Sequence, residues 1–78
     1  MVKIYPNPSD GKITIELAEV SNTMELRITS IIGVAQKTVV LTNAAKQEVN
    51  LERIHQGIYL YEIWQDGERK SVGKLQIR

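Results

Sequence analysis

Leu51-Glu52-Arg53-Ile54-His55-Gln56-Gly57-Ile58-Tyr59-Leu60-Tyr61-Glu62-Ile63 is the stretch on which the fold turns. Its second half alternates. Tyr59, Tyr61 and Ile63 fall on one side of an extended chain, with Ile58, Leu60 and Glu62 on the other, which is the period of a strand. Its first half, Leu51 to Gln56, resembles a single helical turn and is too short to be a helix. Leu51 and Ile54 would plug the end of a layered structure, and Gly57 would permit a sharp re-entry. Tyr59 would then be buried with its hydroxyl bonded back to the connecting backbone. That pattern is a crossing between two sheets closed by a tyrosine corner. A buried tyrosine needs a partner for its hydroxyl, so this role is preferred to ligand stacking.

The same period runs outward in both directions. Ile13, Ile15 and Leu17 alternate with Thr14 and Glu16; Met24, Leu26 and Ile28 alternate with Glu25, Arg27 and Thr29; Leu75 and Ile77 alternate with Lys74, Gln76 and Arg78. Val2 to Tyr5, Val34 to Leu41 and Gln47 to Leu51 bring the expected total to about seven strands. Turn chemistry separates them. Asn7-Pro8-Ser9-Asp10-Gly11 combines preset backbone angles with side chains able to bond their own backbone. Ser21-Asn22-Thr23, Gly33 and Thr42-Asn43-Ala44-Ala45 make further breaks, and Asp66-Gly67 reads as a tight hairpin. Short strands with regular turn signals predict an all-β, antiparallel, two-sheet sandwich, immunoglobulin-like in the broad sense.

At 78 residues the chain is one domain with a thin core. Ten Lys and Arg stand against nine Asp and Glu and are interspersed, so no basic face of the kind that binds nucleic acid is present. The absence of cysteine excludes disulfides and thiolate metal sites. The opening residues carry two prolines where a signal peptide has an apolar run, which fits a piece cut from a longer protein.

Catalytic chemistry has little to work with. The sole histidine, His55, has no serine nearby in sequence and no G-x-S-x-G element accompanies it, so it reads as a solvent-facing loop residue. Asp10 is explained by its turn, since a calcium loop requires several converging oxygens. The glycines stand alone, which excludes a phosphate-binding loop. The expectation is a non-enzyme with no cofactor, no metal and no small-molecule substrate. Trp64 with Ile58 and Leu60 would form an apolar stripe on the face opposite Tyr59, as either a partner surface or a glycan platform, or as a strand covered by neighbours.

Four segments together resemble a known family. Tyr5-Pro6-Asn7-Pro8-Ser9-Asp10-Gly11 followed by Ile13, Ile15 and Leu17 is similar to the start of the type A C-terminal sorting domain of the type IX secretion system. Leu26 and Ile28 leading to Gly33, then Leu51, Ile54 and Gly57-Ile58-Tyr59, match its middle and its G-x-Y element. Gly73-Lys74-Leu75-Gln76-Ile77-Arg78 resembles its terminal strand, which ends in a basic residue. Ser30-Ile31-Ile32 departs from the polar or acidic residue and leucine that the family commonly places before the mid-chain glycine.

The resemblance implies one domain, residues 1–78, at the end of a larger exported protein. It implies recognition by the outer-membrane translocon and removal at the surface by a sortase-like cysteine peptidase. Localisation would pass through the periplasm to the outer-membrane surface or the medium. Pro6, Pro8, Gly11, Gly33, Gly57 and Tyr59 would be structural motif residues, and Gly73 to Arg78 the recognised strand. Lys74, Gln76 and Arg78 would face outward while Leu75 and Ile77 anchor the strand to the core. Its edge would either offer unpaired backbone to a docking partner, or to a second copy in isolation, or be merely protected against aggregation by the two cations. The competing readings are a carbohydrate-binding or adhesive sandwich using Trp64 with Tyr5 or Tyr61, and a structural spacer of a secreted enzyme.

Overall fold

The computed structural model describes residues 2–21 and 23–78, so Asn22 of the expected Ser21-Asn22-Thr23 turn lies outside the described residues. Seven strands form in chain order: β1 (Val2–Tyr5), β2 (Lys12–Leu17), β3 (Met24–Ser30), β4 (Ala35–Val40), β5 (Lys46–Asn50), β6 (Gly57–Gln65) and β7 (Glu68–Ile77). They divide into a three-stranded sheet, β1-β2-β5, and a four-stranded sheet, β4-β3-β6-β7, antiparallel throughout. The fold is the all-β sandwich that the alternation predicts.

Alternation places the core. Ile13, Ile15 and Leu17 of β2, Met24, Leu26 and Ile28 of β3, Ile63 of β6, and Leu75 and Ile77 of β7 are all buried in one apolar cluster between the sheets. Leu51 is fully buried and Ile54 packs against the same cluster, so together they plug the sandwich end. Between them the Ile54 amide donates to the Leu51 carbonyl at 3.0 Å, closing the single turn that the sequence shows there. The Tyr59 hydroxyl donates to the His55 carbonyl at 2.5 Å, which is the tyrosine corner.

β7 differs from its expected extent. β7 begins at Glu68, well before Lys74, and a bulge opposite Ile63 and Trp64 lets its polar first half stay paired with β6. The chain also changes sheets between β1 and β2. Residues 6–8 leave the three-stranded sheet, and Ser9 forms a parallel bridge with Ile77 on the outer edge of the four-stranded one. Both prolines of this passage follow cis peptide bonds.

Candidate recognition site

The terminal strand divides by parity, as an extended chain must. Leu75 and Ile77 are buried at 0% and 4% exposure, while Lys74, Gln76 and Arg78 are exposed. Neither Lys74 nor Arg78 has an ion-pair partner among the described residues. Cross-strand pairing sets Leu60 beside Lys74 and Ile58 beside Gln76, so two aliphatic side chains border the polar row. Ile58 is 53% exposed. Gly73 belongs to the interior of the strand rather than to its surface row. The Tyr61 ring lies directly over it, so that a Cβ there would sit 2.5 Å from the Tyr61 hydroxyl.

From Lys74 to Arg78 the backbone edge of this strand is closed, contrary to the expectation of unpaired groups. The Asn7 amide nitrogen donates to the Lys74 carbonyl at 2.9 Å, and the Gln76 amide donates to Asn7 Oδ1 at 3.0 Å. One step on, the Ser9 amide donates to the Gln76 carbonyl at 2.8 Å and the Arg78 amide to the Ser9 carbonyl at 2.9 Å. The turn that the sequence presents as local chemistry therefore reaches across the molecule. Its internal bonds are present too: the Ser9 hydroxyl donates to the Lys12 carbonyl and accepts from the Gly11 amide, and the Lys12 amide reaches Asp10 Oδ1. Asn7 and Ser9 were missed as contact residues of the terminal strand. A side-chain bond spanning nearly the whole chain leaves no periodic signal.

The remaining motif residues hold turns. Pro6 and Pro8 bracket Asn7 in the sheet-changing passage, and Gly11 is buried with its carbonyl accepting from the Leu51 amide. Gly33 lies in the exposed β3–β4 turn, where its amide donates to the Ser30 carbonyl at 2.9 Å. Gly57 opens β6 at φ 155°, a backbone angle that side-chain-bearing residues rarely adopt, and this gives the sharp re-entry after the crossing.

Trp64 shares the outer face of β6 with Ile58 and Leu60, but its ring is occupied. The Arg27 guanidinium lies 4.0 Å from its centroid, and the indole N–H donates to Glu62 at 3.2 Å. Arg27 is itself held by Glu25, and Glu62 by Arg69. The indole bond, reinforced by Arg69, holds the Glu62 carboxyl below its ordinary range. A sugar ring stacking on that face of Trp64 would have to displace Arg27. Tyr5 is on the other sheet, where a bond to Glu16 raises its hydroxyl pKa. His55 is exposed in the crossing loop. Among the described residues, no three His, Asp or Glu side chains gather where they could hold a metal ion.

Comparison with known proteins gives one family. Residues 3–78 match the family described as secretion system C-terminal sorting domain. No curated protein matches the chain.

Proposed function

This chain belongs to the C-terminal sorting domains of type IX secretion, the signals for export across the cell envelope, and on that basis we propose that its recognised feature is the outward row of β7. The family is a sorting signal rather than a catalyst and engages the type IX machinery. In the proposed reading, the domain closes a larger exported protein, and the outer-membrane translocon reads Lys74, Gln76 and Arg78 on the folded sandwich. A sortase-like cysteine peptidase then separates the domain from its cargo at the cell surface. Gly73, Leu75 and Ile77 act by holding the row in place.

The observation that carries this reading is the contrast within β7. Its buried residues fix the strand, while its two terminal cations form no ion pair among the described residues and so are available to an acidic partner. The test is a reporter fused between a signal peptide and this domain in a host with a working type IX system. The wild-type fusion is exported, and export is lost in a translocon mutant. The double charge reversal Lys74→Glu with Arg78→Glu melts at the wild-type temperature but leaves the reporter in the periplasm. Normal export of that variant would sink the proposed role of the row.

A further inference from the structure

Ser9 is fully buried although it belongs to the loop between β1 and β2. What covers it is β7. In a strand, the N–H and C=O of one residue point to the same side and those of the next residue to the other. Leu75 and Ile77 therefore turn their backbone groups toward β6, whereas Lys74, Gln76 and Arg78 turn theirs outward. The outward groups meet Asn7 and Ser9. A carboxamide is a peptide group on a short stem, with one donor face and one acceptor atom. Asn7 uses both, giving a hydrogen to the Lys74 carbonyl and taking one from the Gln76 amide, as a neighbouring strand's peptide unit would. Ser9 continues the pattern with its own backbone, and its hydroxyl locks the turn behind it. Pro6 and Pro8 have no N–H to extend the ladder, so the contact stays two residues long.

We propose that Asn7 and Ser9 are positioning residues for the sorting strand, forming a clasp that closes its outer backbone edge from Lys74 to Arg78. A partner then meets Lys74, Gln76 and Arg78 as side chains on a fixed strand and cannot add a strand of its own to that edge. The clasp also denies this segment of the edge to a second copy of the chain, the usual hazard of an exposed strand. This rests on the reading of β7 as the recognised strand, and the experiment separates the two.

Amide exchange is measured by NMR on the 78-residue chain and on Asn7→Ala, alongside a control at Ile4. Ile4 lies in β1, paired with Ile15 of β2 and packed against the core, and is shortened to Ala or Val, whichever matches the melting temperature of Asn7→Ala. Asn7→Ala accelerates exchange of the Gln76 amide about tenfold relative to that of Ile77, as loss of one direct hydrogen bond predicts. The Ile4 variant leaves that ratio unchanged. In the reporter fusion, Asn7→Ala reduces export and the equally destabilised Ile4 variant is exported as wild type. An unchanged Gln76-to-Ile77 ratio in Asn7→Ala would overturn the clasp. Equal export of the two variants would overturn the positioning role. A wild-type fusion that fails to leave the periplasm, together with the expected exchange pattern, would overturn the sorting reading while upholding the edge closure.

Discussion

Tyr61 and Gly73 face each other across β6 and β7, and each explains the other. A glycine in mid-strand weakens a sheet, because it has no side chain to pack and much backbone freedom to lose. Here the missing Cβ is the space that the Tyr61 ring fills, with ring carbons 2.6 Å from where a Cβ would be. Gly73→Ala is expected to destabilise the domain by about 1–3 kcal/mol through overpacking. Adding Tyr61→Ala should recover part of that loss, because the two sites share one volume. Denaturant titration of the single and double variants checks this, and strictly additive effects would show that the contact is not the cause. Glu62 makes a second residue-scale prediction. Its folded-state carboxyl titrates below the ordinary value, so its contribution is complete above the ordinary carboxylate range and is lost as pH falls through the folded value. Glu62→Gln should therefore melt lower than wild type at neutrality, and the difference should shrink as pH falls below the ordinary carboxylate range. A pH-independent difference would mean that Glu62 acts through packing alone.

The β6–β7 hairpin is the element that carries the outward row proposed for recognition, and its turn is built for the twist of the strands. Asp66 has φ 53° and Gly67 φ 77°, the two left-handed residues of a type I′ connection. Gly67→Ala should cost about 1 kcal/mol, because only the left-handed backbone conformation, not space, opposes the new methyl group. An unaltered denaturation midpoint would mean that the turn relaxes to another type. This hairpin also marks how far the sequence could be read. Asp66-Gly67 is a local signal, and Tyr59, Tyr61 and Ile63 alternate because one side of β6 meets the core, so both were legible. Glu68 to Val72 show no such alternation. Glu68, Arg69, Lys70 and Val72 are all exposed, so burial imposes no period and the first half of β7 stayed hidden. The outward row was legible because Leu75 and Ile77 are core residues. The clasp was not, because Asn7 has the same chemistry in a local turn as in a bond to a strand 67 residues away.

Across the whole molecule, the early turn and the last strand complete one another, and this sets the order in which the fold can close. The Ser9 backbone bonds to Gln76 and Arg78, which anchors the end of the sheet-changing passage on β7. Leu75 and Ile77 fill the same core as Ile13, Ile15 and Leu51, so the sandwich lacks an interior wall until the final residues arrive. Removing residues 74–78 takes away two buried aliphatic side chains worth about 1.5–3 kcal/mol each. It also strips the start of β6 of its partner, since Gly57, Ile58, Tyr59 and Leu60 pair with Ile77, Gln76, Leu75 and Lys74. Small domains have total stabilities of about 5–15 kcal/mol, so this truncation should leave no cooperative fold rather than a slightly weakened one. Thermal melting followed by circular dichroism, with near-native controls from Lys74→Glu and Arg78→Glu, decides the point. A cooperative melt in the truncated chain would show that the core closes without its last strand. The expected loss of any transition would mean that failed export of a truncation reports on folding, leaving charge reversal on the intact sandwich as the probe of recognition.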